Sequence, residues 1–188
     1  SGGGSQGGNS GNGGNSGNNG NSGSGNSGNS DSEVTEECTV TFEANGVTGT
    51  MPTQSFTYDK QLPLTQNTFS RTGYTFAGWN TQADGNGTAY SDGQTVSNLT
   101  AQANGSVTLY AVWTPNTYTV IFVSNGGEGE MTAQSYTYGE RKALSVNLFE
   151  RTGYAFAGWS TGTQTYDDEE EVSNLTDRKD GYVLLTAQ

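Results

Sequence analysis

Short runs of alternating hydrophobic and polar residues recur along the chain and predict β-strands. In the first of them, Val40 and Phe42 fall on one face and Thr39 and Thr41 on the other. This two-residue period is that of a strand with one buried face. The runs are rich in Thr, Val, Tyr and Phe, which are enriched in strands. We therefore expect a mostly β, or small α+β, fold.

Three further strands are predicted in the same way, at 54–58, 73–79 and 107–113. In the second of these, Tyr74 and Phe76 are expected on one face and Trp79 on the opposite face, since alternate residues share a face. The dipeptide Asn45-Gly46 predicts a turn after the first strand, because both residue types tolerate a positive φ.

The hydrophobic residues of segment 59–70 follow no clear period. It contains Leu62, Pro63, Leu64 and Phe69. Either a crossover connection or one short helix fits this composition, and Pro63 counts against a helix interior.

Two copies of one repeat make up most of the chain. The run 71–79, RTGYTFAGW, is matched by 151–159, RTGYAFAGW, at an offset of 80 residues. After the tryptophan the offset falls to 76, because the second copy lacks four residues of the loop around 83–87. A deletion is best tolerated in a surface loop.

The repeat divides the chain into a linker and two modules. Residues 1–30 contain only Ser, Gly, Asn and Gln, so this stretch has no apolar side chain to bury and is expected to be disordered. The predicted organisation is a disordered linker at 1–37, module 1 at 38–113, a short linker at 114–117 and module 2 at 118–188. Module 2 ends one residue before the position equivalent to Trp113, so we interpret it as truncated there.

Aromatic residues are expected to supply most of each core, since a module of about 75 residues buries only about 60% of its unfolded surface. The predicted core residues are Phe42, Phe56, Tyr74, Phe76, Trp79 and Trp113 in module 1, and Phe122, Tyr136, Tyr154, Phe156 and Trp159 in module 2. Three other tyrosines are candidates for an exposed ligand surface: Tyr90, Tyr110 and Tyr166.

Charge and composition exclude several classes of function. The net charge of −12 disfavours binding to nucleic acid or to anionic lipid. The sequence contains no histidine, and its one cysteine, Cys38, therefore has no imidazole to activate it. A buried thiol without catalytic function is the better interpretation. No apolar run is long enough to span a membrane. We expect neither an enzyme nor a cofactor.

Two acidic segments could bind a cation. The run Asp167 to Glu171 has five consecutive carboxylates, but the first copy has no equivalent, and a solvated loop is the simpler interpretation. The segment Asp84-Gly85-Asn86-Gly87 is typical of a tight turn.

The repeat resembles the Listeria–Bacteroides repeat, the family that includes the internalin B-repeat. The residues that carry the resemblance are TVTFEANG at 39–46, RTGYTFAGWNT at 71–81 and LYAVW at 109–113, with their second copies. The resemblance implies two tandem β-grasp-like (ubiquitin-like) modules of a bacterial surface protein, and it implies no catalytic residues.

The expected function is a semi-rigid spacer that presents adhesive domains at the bacterial cell surface or outside the cell. Two modules in line would extend about 60 Å by globular scaling. The alternative is a module that itself binds a host protein or glycan, in which case an exposed apolar or aromatic patch of several hundred Å² is expected. The sequence does not determine the oligomeric state.

Overall fold

The computed structural model describes residues 36–188, and every ordered element in this range is a β-strand or a turn. The predicted linker at 1–37 lies almost entirely outside the described residues. Module 1 contains seven strands: β1 (Glu37–Glu43), β2 (Gln54–Thr57), β3 (Leu62–Pro63), β4 (Tyr74–Asn80), β5 (Ala89–Tyr90), β6 (Thr95–Val96) and β7 (Ser106–Pro115).

Module 2 repeats the same series. Its strands are β8 (Thr117–Val123), β9 (Gln134–Thr137), β10 (Lys142–Ala143), β11 (Trp159–Ser160), β12 (Thr165–Tyr166), β13 (Glu171–Val172) and β14 (Gly181–Ala187). The helix that 59–70 could have formed is not seen. This segment contains β3, which pairs with β6, so Pro63 lies in a two-residue strand where few backbone donors are needed.

Each module is built on one five-stranded mixed sheet. The order is β2-β1-β7-β4-β5 in module 1 and β9-β8-β14-β11-β12 in module 2. The first and last long strands of each module lie side by side and parallel, with Val40 opposite Val107 and Val120 opposite Val183. All other neighbours in the two sheets are antiparallel.

A tryptophan lies at the centre of each core. Trp79 has no exposed surface, and its ring centroid lies 4.8 Å from that of Phe42 and 5.0 Å from that of Phe76. Trp159 is equally buried and has the same pair of neighbours, Phe122 at 4.8 Å and Phe156 at 4.9 Å. The cores of the two modules are therefore packed alike.

A β-bulge in β4 brings Phe76 and Trp79 to the same side of the sheet. Phe76 pairs with Trp113 and Gly78 pairs with Val112, so one residue of β4 is left without a partner. An extra residue reverses the alternation of faces beyond it. The prediction that Phe76 and Trp79 face opposite ways was therefore wrong, because the period of two holds only without a bulge.

Two predicted core tyrosines lie outside the cores. Tyr154 is 69% exposed, and Tyr74 is half buried against a residue of the other module. Tyr74 lies in β4 before the bulge and Tyr154 lies before the start of β11, and neither belongs to the hydrophobic cluster of its module. The remaining predicted core residues are buried or half buried within the two hydrophobic clusters: Phe42, Phe56, Phe76, Trp79, Trp113, Phe122, Tyr136, Phe156 and Trp159.

The loop that differs in length between the copies is organised by one buried side chain. The Asn80 amide donates to the carbonyl of Gly85 at 2.9 Å and accepts from the backbone N–H of Gly87 at 2.9 Å. Asn80 is 2% exposed, while residues 82–86 around it are exposed. Module 2 has Ser160 at the equivalent position, and in the shorter loop its hydroxyl accepts a hydrogen bond from the N–H of Gly162 at 3.0 Å.

Candidate functional sites at the module joint and the sheet face

Asn116 connects the two modules through four hydrogen bonds. Its backbone N–H donates to the carbonyl of Gly73 and its carbonyl accepts from the N–H of Tyr138, both at 2.8 Å. Its side-chain oxygen accepts from the Thr75 hydroxyl at 2.6 Å, and its side-chain nitrogen donates to the carbonyl of Asp177 at 2.7 Å. Asn116 is only 8% exposed, so all of its polar groups are satisfied within the protein.

The predicted short linker at 114–117 consists almost entirely of strand residues. Strand β7 continues to Pro115 and β8 begins at Thr117, which leaves only Asn116 between them. Since the backbone of both flanking residues is held in sheets, little rotation is possible between the modules.

An aromatic pair lies beside Asn116. The ring centroids of Tyr74 and Tyr138 are 5.8 Å apart with an edge-to-face angle of 71°, and the Arg71 guanidinium lies 3.9 Å from the centroid of the Tyr74 ring. Gly73 is buried beneath Tyr138 with φ +76°, and a Cβ at this position would overlap the Tyr138 ring. Glycine is required here for both reasons.

The second candidate site is an exposed apolar patch on the outer sheet face of module 2, which we call the outer patch. It consists of Ile121 and Val123 on β8 and Tyr182 and Leu184 on the adjacent β14. Their side chains are 36%, 36%, 68% and 47% exposed. Leu184 lies directly opposite Ile121, so the four residues are contiguous.

Module 1 has polar residues at all four equivalent positions. They are Thr41 and Glu43 on β1, and Ser106 and Thr108 on β7. The fold does not require an apolar outer face, because module 1 forms the same sheet without one. Sequence analysis missed the outer patch, although a residue-by-residue comparison of the two copies contains the signal.

The three tyrosines predicted to form a ligand surface do not form one. Tyr90 and Tyr166 are half buried and pack against the cores of modules 1 and 2, and burial raises the pKa of the Tyr166 hydroxyl. Tyr110 is half buried on the outer face of module 1. The three side chains therefore belong to different places in the fold.

The acidic run 167–171 forms a turn that leads into β13 at Glu171, and its carboxylates have separate contacts. Asp168 accepts a hydrogen bond from the N–H of Asn147 at 2.9 Å, Glu170 accepts one from the N–H of Asp167 at 2.7 Å, and Glu171 lies 3.6 Å from Arg141. Within residues 36–188 no three acidic, histidine or cysteine side chains converge as metal ligands would. In the 84–87 turn, Asp84 accepts hydrogen bonds from Asn86, which lower the pKa of its carboxyl group.

The two modules have different buried titratable residues at one equivalent position of the first strand. Cys38 in module 1 is buried, and burial raises the pKa of its thiol, which disfavours the reactive thiolate. At the equivalent place module 2 has Tyr118, stacked on Tyr136 with ring centroids 5.4 Å apart. Burial raises the pKa of Tyr136 to about 12, so both rings are neutral at pH 7.

An open groove of about 710 Å³ lies at the end of module 2. Its lining includes Ser124, Tyr154, Phe156 and Gln188. In module 1 the indole of Trp113 occupies the equivalent position and donates a hydrogen bond to the carbonyl of Ala44 at 2.9 Å.

No helix in the described part of the chain has the length and hydropathy that are needed to cross a membrane.

Relatives of this chain are much longer proteins. It is 37% identical over 119 residues to a protein of Evansella cellulosilytica that is named a Gly-rich membrane protein; the match covers 62% of this chain and 12% of the relative. A second protein of that organism, named a membrane protein, is 40% identical over 65 residues, which are 34% of this chain and 9% of the relative.

Among solved structures, the type 2 repeat of the mucus binding protein MUB from Lactobacillus reuteri is 12% identical. The match covers 81% of this chain and all of that one, with a TM-score of 0.17. A score this low carries no argument about fold or function.

The sequence profile of the Listeria-Bacteroides repeat domain matches residues 39–112 and, separately, residues 118–178. These two segments cover most of the chain, and they correspond to module 1 and to module 2 as far as residue 178. The chain therefore belongs to the Listeria-Bacteroides repeat family and carries two consecutive copies of the domain.

Proposed function

We propose that this chain is a non-enzymatic, semi-rigid spacer from a bacterial cell-envelope protein. The observation that carries the proposal is the joint at Asn116, where one buried residue has all four of its polar groups bonded to elements of the two modules. A spacer that holds another domain at a distance needs resistance to bending between its units.

Several features support a structural role. The sequence has no histidine, and burial keeps the Cys38 thiol protonated. The net charge of −12 favours a soluble surface that repels its own copies. In this proposal the chain has no cofactor and binds no nucleic acid. In this proposal the chain lies at the cell surface or outside the cell, and the membrane-protein names of the two relatives favour the cell envelope.

The mixed sheets support a β-grasp-like arrangement for each module. The central parallel pair is formed by the first and last long strands, and the connection at 59–70 takes the place of a helix. In this proposal the modules are helix-free variants of that arrangement, and the rigid sheets resist deformation along the strands.

We expect Asn116→Ala to uncouple the two modules. The substitution removes two side-chain hydrogen bonds and leaves the Asp177 carbonyl and the Thr75 hydroxyl without that partner, at a cost of about 1–3 kcal/mol per group where they stay buried. Backbone ¹⁵N relaxation should give one common tumbling time for both modules in the unsubstituted chain and two shorter, different times in the variant.

Asn86→Ala serves as the control, because Asn86 is exposed and its side chain donates a hydrogen bond to Asp84 within the same turn. This variant should keep the common tumbling time. Independent tumbling of the modules in the unsubstituted chain would refute the spacer.

A second candidate function is direct binding through the outer patch. Module 1 has Thr41, Glu43, Ser106 and Thr108 where module 2 has apolar residues, and large apolar side chains on an exposed sheet face are typical of contact surfaces. The ligand in this proposal is a host-surface protein or glycan. The patch favours a protein, since three of its four side chains are aliphatic.

Exchange of the outer patch for the module 1 residues should abolish any such binding. The variant carries Ile121→Thr, Val123→Glu, Tyr182→Ser and Leu184→Thr, and its cores are unchanged because these side chains point away from them. On glycan and protein arrays, signals that the parent chain gives and the variant loses would support the binding role. If the variant keeps every signal, or the parent gives none, the outer patch is not a binding site.

A further inference from the structure

Side chains cap one edge of the sheet in module 2. Strand β9 lies at this edge and pairs with β8 on one side only. The Lys142 ammonium donates to the carbonyl of Ser135 at 2.8 Å, and the Glu140 carboxylate accepts from the N–H of Thr137 at 2.9 Å. Charged side chains at a sheet edge hinder its pairing with a further strand. The edge at β9 is therefore closed.

Module 1 lacks both caps on its equivalent edge strand, β2. The residues at the positions of the two caps are Lys60 and Leu62. A lysine side chain has no acceptor for the N–H of Thr57, and a leucine side chain has no donor for the carbonyl of Ser55. Within residues 36–188 neither of these two backbone groups has a hydrogen-bond partner.

The uncapped groups point away from the sheet. The N–H of Tyr58 donates to the carbonyl of Glu36 at 2.8 Å, so Tyr58 and every second residue before it face β1. The backbone groups of Ser55 and Thr57 therefore face outward, because neighbouring residues of a strand alternate in this respect. The Thr57 carbonyl accepts from the N–H of Lys60 at 3.1 Å. The N–H groups of Ser55 and Thr57 and the Ser55 carbonyl remain, and we call them the open edge.

The side chains beside the open edge are apolar and basic. Leu62 and Tyr58 are each 40% exposed. The Gln54 side chain donates to the carbonyl of Pro63 at 2.8 Å, which holds the segment of Leu62 against β2. Lys60 places a positive charge where module 2 has a carboxylate. Aliphatic and acidic side chains would complement this surface.

We propose that the open edge binds an extended segment of a partner protein, which joins the sheet of module 1 as an added strand. The backbone of that segment pairs with Ser55 and Thr57, its aliphatic side chains pack on Leu62, and a carboxylate lies near Lys60. The backbone groups carry the assignment, since donors and an acceptor follow one another along the edge at the spacing of a β-strand. This surface is separate from the outer patch of module 2 and goes beyond the spacer function.

A partner segment fits the open edge better than a second copy of this chain. Two copies that each carry a net charge of −12 repel one another. Strand β2, Gln54–Thr57, also contains no carboxylate that could lie near Lys60 of another copy.

The test uses the full chain, labelled with ¹⁵N, and the peptide acetyl-Asp-Val-Thr-Val-Thr-Val-Asp-amide as the probe. The N–H signals of Ser55 and Thr57 should shift during the titration, and those of Ser135 and Thr137 should not. At a peptide concentration about ten times the dissociation constant, hydrogen exchange of Ser55 and Thr57 should slow about tenfold, because exchange then occurs from the unbound fraction.

Two methylated peptides test the backbone pairing directly. One carries N-methyl groups on its threonines and the other on its valines, so each blocks the donors on one side of the added strand. Binding should be lost with one peptide and kept with the other. Loss with the threonine set indicates an antiparallel added strand whose valines face Leu62, and loss with the valine set a parallel one. Equal effects of the two sets overturn the inference.

Exchange of the edge residues between the modules supplies matched variants. Lys60→Glu with Leu62→Lys brings the caps of module 2 to module 1, and the peptide should no longer shift the N–H signal of Thr57. Both positions are exposed, so the core of module 1 is unchanged. The converse variant, Glu140→Lys with Lys142→Leu, removes the caps of module 2 and should create binding there.

The results that overturn the inference differ in what they indicate. One is the absence of a shift at Ser55 and Thr57 at the highest soluble peptide concentration, and another is unchanged binding by the capped variant. Slow exchange of these two amides in the free chain at every protein concentration would show that the chain covers its own edge. Slow exchange that increases with protein concentration would indicate pairing with a second copy. Shifts at Ile121 and Leu184 alone would assign the peptide to the outer patch.

Discussion

Adding a single tryptophan after Gln188 should stabilise module 2 by about 2–4 kcal/mol, most of the 3–5 kcal/mol that removal of a buried aromatic side chain costs. The groove beside Phe156 is where Trp113 lies in module 1. There the indole packs edge-to-face on Phe76 at 5.6 Å and donates to the carbonyl of Ala44. Phe156 and the carbonyl of Ser124 are the equivalent groups in module 2.

Equilibrium denaturation would measure this effect, with the two modules followed separately by the NMR intensities of Leu109 and Leu185, which are fully buried in their respective cores. The transition of module 2 should move to higher denaturant concentration and that of module 1 should stay in place. The control is the same extension with alanine, which lengthens β14 without an indole. Equal stabilisation by alanine and tryptophan would show that the backbone, and not the groove, limits the stability of module 2.

The second large effect is expected from Gly78→Ala. Gly78 has φ +141°, and a Cβ there would lie 2.7 Å from the carbonyl oxygen of Tyr90, which is backbone and cannot rotate away. Backbone strain of this kind costs about 1–3 kcal/mol, and the steric overlap adds to it. We expect module 1 to lose about 3–5 kcal/mol, a large part of the total for a domain of this size.

Two further alanine variants separate the contribution of backbone strain from that of steric overlap. Gly85 has φ +80° but no atom within 4 Å of the place that a Cβ would occupy, so Gly85→Ala should cost only the strain. Gly158 is the equivalent of Gly78 in module 2, and a Cβ there would lie 2.6 Å from the carbonyl oxygen of Tyr166. Gly158→Ala should therefore destabilise module 2 and leave the stability of module 1 unchanged. The result that contradicts this account is a Gly78→Ala chain whose module 1 unfolds at the same denaturant concentration as the parent.

The outer patch and the joint illustrate different limits of sequence analysis. The four apolar residues of the patch stand in the sequence beside their polar counterparts in the first copy, so a comparison at offsets of 80 and 76 residues would find them. The four hydrogen bonds of Asn116 have no such signal. Its partners Gly73, Thr75, Tyr138 and Asp177 are all far from Asn116 in the sequence and meet it only when both sheets have formed.

The sequence by itself determined the four longest strands of module 1, the repeat and the family, because a period of two and a repeated motif are properties of neighbouring residues. The tertiary structure decided which residues are covered. The bulge at Gly78 places Phe76 beside Trp79, and contact between modules, not between strands, covers Tyr74 and leaves Tyr154 exposed. Alternation predicts two faces for a strand, but the element packed against each face comes from a distant part of the chain, and only the folded protein specifies it.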